Sequence, residues 1–312
     1  MQSPVASNVE LEGAPRGLHF RRFWVVLLVV ICVAAVALGM GFRGFAAVSP
    51  DEMTSITVLS IDGPKRTIKV EVFRPADDDQ REFPAVLFLH GVEGPERYRG
   101  PHTQSCRWLA DQGYIVFYVH YFDAVDYEDL WLLRPDGSLD KSAIDARCWE
   151  DASRWSGAVL QVVGELSRRP DVDANRIALD GISLGGFIAL EVADEAQRDS
   201  TVPDIQAVVA NWAAQFELTE CQQGFAPTLH IHGEYDEVVP LRDAQQSVNE
   251  ILSVGSQAEL LVIPGAPHVA RSKQSDERTI SFLASYLKVV PGSSLTPAAF
   301  VDPEAYWHKL GR

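Results

Sequence analysis

Residues 176–186 read RIALDGISLGG, a short apolar run that closes on a serine, Ser183, set among glycines. The run has the composition of a buried strand, and Leu184 to Ala196 carries apolar side chains at the three- and four-residue spacing of a helix. A serine at a strand-to-helix junction has two readings. It can cap the helix by accepting its first N–H groups. Alternatively, flanked as Gly181-Ile182-Ser183-Leu184-Gly185, it is an attacking nucleophile presented on a sharp turn that glycines allow the backbone to make.

The surrounding pattern favours the second reading. SITVLSI (55–61) and TIKVEVF (67–73) alternate with period two. AVLFLH (85–90), YIVFYVHY (114–121), RIALDGI (176–182), IQAVVANW (205–212), TLHIHG (228–233) and AELLVIPG (258–265) are near-continuous apolar runs. Such runs belong to strands buried on both faces. Helical segments lie between them, most clearly Cys148 to Leu166 and Leu184 to Ala196. Strands alternating with helices imply a mostly parallel sheet with helices on both faces, and ligands of such sheets bind beyond the carboxyl ends of the strands. The short stretch between ANWAAQ and APTLHIHG leaves little room for a helical lid, so an open site is expected.

The chain has 312 residues and a net charge of −16, and it lacks the clustered Lys and Arg of a nucleic-acid surface. Phe23 to Phe42 carries no charge and, as a helix, is about 30 Å long, enough to span a bilayer. Arg16, Arg21 and Arg22 precede it and Arg43 follows, which puts the N-terminus in the cytoplasm and the main domain outside. The expected organisation is a cytoplasmic segment 1–22, a transmembrane signal anchor 23–42, a linker 43–52, a catalytic domain 53–290 and a tail 291–312. The competing reading is a signal peptide cleaved near the small residues of GFAAVSP (44–50). Cys106, Cys148 and Cys221 have no metal-like spacing and leave room for one disulfide, whose pair the sequence does not choose.

Two further residues complete a possible nucleophilic site in the chain order Ser, Asp, His. Asp236 follows the strand TLHIHG, with Glu234 and Glu237 as rival carboxylates, and His268 follows AELLVIPG. His230 and His232 stand two apart on one strand, but no third ligand makes them a metal pair. Tyr121, Phe122 and Trp212 follow strands at the same edge and are candidates either for the wall of an acyl pocket or for plain core packing.

DVDANRIALDGISLGG (171–186), LHIHGEYDEVVP (229–240) and GAPHVA (265–270) together resemble the dienelactone hydrolase branch of the α/β-hydrolase superfamily, over roughly residues 53–290. The resemblance implies Ser183 as nucleophile, Asp236 as acid and His268 as base, with the backbone N–H groups of Val92 and Leu184 as oxyanion donors. It implies no metal or cofactor. Dienelactone-cleaving members use a cysteine nucleophile and a glutamate where this chain has Gly91, so Ser183 points to a general esterase acting on small esters or lactones. Glu93 is either a spatial substitute for that glutamate or a solvated loop carboxylate. Arg271 in PHVARS either holds a substrate carboxylate, as the resemblance suggests, or is a surface arginine opening the last helix. The alternatives are a peptidase related to prolyl oligopeptidases, whose gating domain has no room here, and an inactive hydrolase fold serving as a binding module.

Overall fold

The computed structural model describes residues 46–59, 65–76, 82–122, 141–216 and 219–288. The cytoplasmic segment 1–22, the anchor 23–42 and the tail 291–312 lie outside them. Among the described residues no helix is long and apolar enough to cross a membrane.

Eight strands form one sheet: β1 (Glu52–Leu59), β2 (Lys65–Phe73), β3 (Phe83–Leu89), β4 (Ile115–His120), β5 (Val172–Ile182), β6 (Ala207–Asn211), β7 (Thr228–Gly233) and β8 (Ala258–Ile263). Their spatial order is β1-β2-β4-β3-β5-β6-β7-β8. β2 is antiparallel to both β1 and β4, and every other neighbouring pair is parallel. The helices are α1 (Gly94–Arg97), α2 (Arg99–Asp111), α3 (Lys141–Leu166), α4 (Leu184–Arg198), α5 (Leu241–Ser253) and α6 (Lys273–Leu287). This is the α/β-hydrolase arrangement. From residue 212 to 227, the described part of the β6–β7 connection contains no helix.

Strand periodicity builds two cores. Ala85, Leu87, Leu89, Phe117, Val119, Ile177 and Leu179 face α3 and α4, whose Trp155, Val159, Ile188 and Leu190 complete that side. Val86, Phe88, Val116, Tyr118, Ala178 and Val209 face α2 and α6, with Leu109, Phe282 and Leu283. Successive side chains point to opposite faces, so a strand covered on both sides must be apolar throughout, and β3 and β4 are buried at every residue. β1 and β8, at the two ends of the sheet, keep exposed or half-exposed positions.

Two boundaries differ from the expected ones. Residues 46–51 dock on α2 instead of hanging as a linker: Val48 N–H donates to Thr103 Oγ1 (2.9 Å), and Arg107 pairs with Asp51 (2.7 Å). β5 begins at Val172, with an irregularity in its pairing to β3 between Phe83 and Ala85. No disulfide forms among Cys106, Cys148 and Cys221, so the bridge that the sequence left room for is absent.

β3 lies between β4 and β5, so the chain winds one way from β3 to β4 and the other way from β5 onward. That reversal opens a crevice at the carboxyl ends of β3 and β5. One charge lies deep beside it: Glu71 of β2 is fully buried, with a bidentate pairing from Arg99 and an Nε2–H bond from His120 (2.8 Å). A buried carboxylate without such partners would be strongly unfavourable. Glu71→Leu strands the Arg99 guanidinium and is expected to lower unfolding stability by about 3 kcal/mol, the lower end for breaking a buried pair because Arg99 is partly exposed. Urea denaturation of the variant beside wild type measures this.

Candidate active site

β5 delivers Ser183 into the crevice. Its backbone sits at φ 52°, ψ −122°, a conformation L-residues rarely adopt, before the first turn of α4. The glycines make the turn possible. A Cβ on Gly181 would collide with the carbonyl of Gly185, and one on Gly185 would stand 2.5 Å from the carbonyl oxygen of His90. The turn is pinned to β6, because Ser183 N–H donates to Asn211 O (2.8 Å) while the Asn211 amide donates to Gly181 O (3.0 Å) and to Asp180 (2.7 Å). Burial pushes the Asp180 carboxyl up to about 6. No side-chain capping bond from Ser183 is present, unlike the helix-cap reading.

Ser183 Oγ lies 3.1 Å from His268 Nε2, and His268 Nδ1–H donates to Asp236 Oδ2 at 2.7 Å. The other oxygen of Asp236 accepts the N–H groups of Val238 (2.8 Å) and Val239 (2.9 Å). All three residues are buried. The loops that carry Asp236 and His268 are locked together: Tyr235 N–H donates to Ala266 O (2.9 Å), and a Cβ on Gly233 would stand 2.5 Å from the carbonyls of Ala266 and Pro267. Of the rival carboxylates, Glu234 instead accepts the N–H of Gly265 (2.7 Å), and Glu237 is exposed. Val269, immediately after the base, has φ 60°, and Trp212, after β6, has φ 50°. Among the described non-glycine residues only Lys288 joins these two and Ser183 at positive φ. Strained backbone of this kind gathers at functional sites.

Leu184 is the first residue of α4, where N–H groups have no carbonyl one turn earlier to receive them. The tight approach of Gly185 to Leu89 and His90 brings the head of α4 against the turn after β3 that contains Val92. That turn is braced from behind. The His90 ring stacks on Tyr121 (4.1 Å, 4°), and the Tyr121 hydroxyl donates to His90 O (2.7 Å).

Four expected pocket residues sit elsewhere or serve otherwise. Tyr121 and Phe122 are buried, and Phe122 packs edge-on against His90 and tilted against Trp155, so both support the turn rather than face a ligand. Trp212 packs in the core on the α2 and α6 side of the sheet, opposite α4. Arg271 is held by Asp276 through Nε (2.9 Å) and by Ser105, and it lies over the Trp108 ring (5.5 Å), which leaves no open fork for a carboxylate. Glu93 is not solvated. It is buried, its carboxylate fills the space a side chain on Gly91 would take, and it lies within reach of Gly91 N–H (3.3 Å) and His102 Nε2 (3.4 Å). His230 is buried on β7, where burial lowers its pKa to about 4. Sequence reading missed the Asn211 clamp and the ring cluster Trp149–Phe216–Phe187, with centroids 5.0 and 5.1 Å apart, one helical turn beyond Ser183. Phe187 was visible as Ser183 plus four; the other two rings come from elements far apart in sequence.

Known proteins resemble this chain in sequence and in fold. The esterase LipI of Mycobacterium tuberculosis (strain ATCC 25618 / H37Rv) is 33% identical over 148 residues, covering 47% of this chain and 40% of that protein. The uncharacterized peptidase YuxL of Bacillus subtilis (strain 168) is 24% identical over 231 residues, 63% of this chain and 33% of YuxL. The chain thus spans two fifths or less of the length of these curated relatives. Among solved structures, the thermophilic esterase Est2 of Thermogutta terrifontis superposes with a TM-score of 0.56 at 16% identity, covering 78% of this chain and 96% of Est2, which shows the shared fold. Residues 68–287, from β2 to the end of α6, match the family described as the dienelactone hydrolase family, and the chain belongs to it.

Proposed function

We propose that the protein is a membrane-anchored, extracytoplasmic serine hydrolase that cleaves small carboxylic esters or lactones. The observation that carries this reading is the continuous relay from Ser183 through His268 to Asp236. His268 Nε2 takes the Ser183 proton as Oγ attacks the acyl carbon, and Asp236, oriented by the Val238 and Val239 N–H groups, stabilises the resulting imidazolium. The backbone N–H groups of Val92 and Leu184 receive the tetrahedral oxyanion, where a single donor is typically worth about 3 kcal/mol. His268 then protonates the leaving alcohol, and water attacks the acyl-enzyme by the same route in reverse. The Trp149, Phe216 and Phe187 rings favour an apolar group beside the nucleophile. The name of LipI supports ester chemistry; that of YuxL makes a peptide the competing substrate to assay.

Ser183→Ala removes one oxygen and little volume. It is expected to leave folding intact and to lower turnover of p-nitrophenyl esters by about a thousandfold or more. Asp236→Asn should be crippling while Glu234→Gln and Glu237→Gln stay near wild type; a crippling change at either glutamate would reassign the acid.

Residues 23–42, with arginines at 16, 21 and 22 before them, are proposed to hold the catalytic domain outside the cytoplasm. Protease added to intact cells is then expected to digest the domain. Protection until the membrane is breached contradicts the orientation, and a soluble product beginning near Ala47 indicates a cleaved signal peptide.

A further inference from the structure

His232, the next-to-last residue of β7, points to the same side of the sheet as α4 and is fully buried. Its Nε2 lies 2.7 Å from the carbonyl oxygen of Val239 and 3.2 Å from Asp236 Oδ2. A carbonyl only accepts, so Nε2 carries the proton and the tautomer is settled by the contact itself. Nδ1 is buried with no partner in the structure. A proton added there would be an unsatisfied buried donor on a cation, and burial accordingly holds the His232 pKa below the ordinary histidine range. The ring is therefore a neutral donor wrapped inside the loop 233–239. Its N–H is taken by the last carbonyl of that loop, and the same nitrogen lies beside the carboxylate oxygen that receives His268.

We propose that His232 is a positioning residue for the catalytic acid, a second histidine whose neutral N–H ties the Val239 end of the loop that carries Asp236 without placing a cation beside the carboxylate. The inference rests on the catalytic reading proposed above. Asp236 accepts two backbone N–H groups on Oδ1 and the His268 N–H on Oδ2, and the His232 Nε2 that closes its loop onto Val239 stands 3.2 Å from Oδ2. A cation at 232 would compete with the His268 imidazolium for the carboxylate. A group without the N–H would leave the buried Val239 carbonyl short of a donor, and the loop could turn the acid away from the base. Of the polar replacements, glutamine carries its amide N–H near the place of Nε2, whereas the asparagine amide reaches only as far as Nδ1.

The test compares His232→Leu, His232→Gln and His232→Asn in the full chain, each also combined with Asp236→Asn. It reads kcat and KM on a p-nitrophenyl ester and the rate at which a fluorophosphonate labels Ser183. His232→Leu and His232→Asn are expected to lower kcat by about ten- to a hundredfold, the equivalent of leaving one buried carbonyl without its donor, with KM little changed. His232→Gln is expected to recover most of the rate. In the Asp236→Asn background the same substitutions are expected to cost little more, because the effect runs through the acid. Wild-type kcat in His232→Leu, equal losses in the Gln and Asn variants, or a full additional loss in the Asp236→Asn background would overturn the proposal. Failure of the wild-type chain to label at Ser183 would instead overturn the catalytic reading beneath it.

Discussion

The turn at Ser183 constrains everything around it. A side chain at φ 52° is held there only because neighbouring segments leave no alternative: Gly181 and Gly185 let the turn close on itself and on β3, and Asn211 ties it to β6 from both backbone and side chain. Three consecutive members of the parallel sheet are thereby committed to one point in space. The strain at Ser183 is local, but the sheet that supports it is the best-buried part of the molecule. Such strain persists only where the surrounding structure over-determines it.

From that point the site is assembled by loops that clamp one another. The loops of Asp236 and His268 interlock through the Tyr235–Ala266 bond and the close approach of Gly233, which fixes the two residues relative to each other. Behind the turn that carries Val92, the stacked His90 and Tyr121 rings and the buried Glu93 carboxylate fill what would otherwise be a void. Arg271 closes the far side by joining the start of α6 to Ser105 of α2. Polar groups placed in this way are preorganised before any ligand arrives, which is the condition under which electrostatic stabilisation is effective.

Much of this was legible in the sequence. The strand–Ser–helix junction, the buried-strand runs and the His268 position each follow from local chemistry at fixed spacing. The choice of Asp236 over Glu234 and Glu237 came from the family resemblance and not from local chemistry, because three carboxylates within four residues differ only in where a tight turn aims them. The parity of Trp212 was lost for a similar reason: a residue just past a strand end falls on either face of the sheet. Arg271 could not be read, since its partners include Ser105, 166 residues away in sequence. Glu93 looked like a loop carboxylate because the space it fills is a missing side chain at Gly91, visible only once the loop is folded. The spacing of His230 and His232 suggested a pair, yet their surroundings separate them: one contacts the Ala213 carbonyl, the other Asp236.

The proposed chemistry passes through a covalent intermediate at one oxygen. The most direct measurement is an acid-quenched, pre-steady-state reaction with a p-nitrophenyl ester, followed by mass spectrometry of the trapped protein. A burst of p-nitrophenol equivalent to about one acyl group per chain, with that group on Ser183, is the predicted result. Turnover without any acyl adduct, or an adduct on another residue such as Cys221, would contradict it.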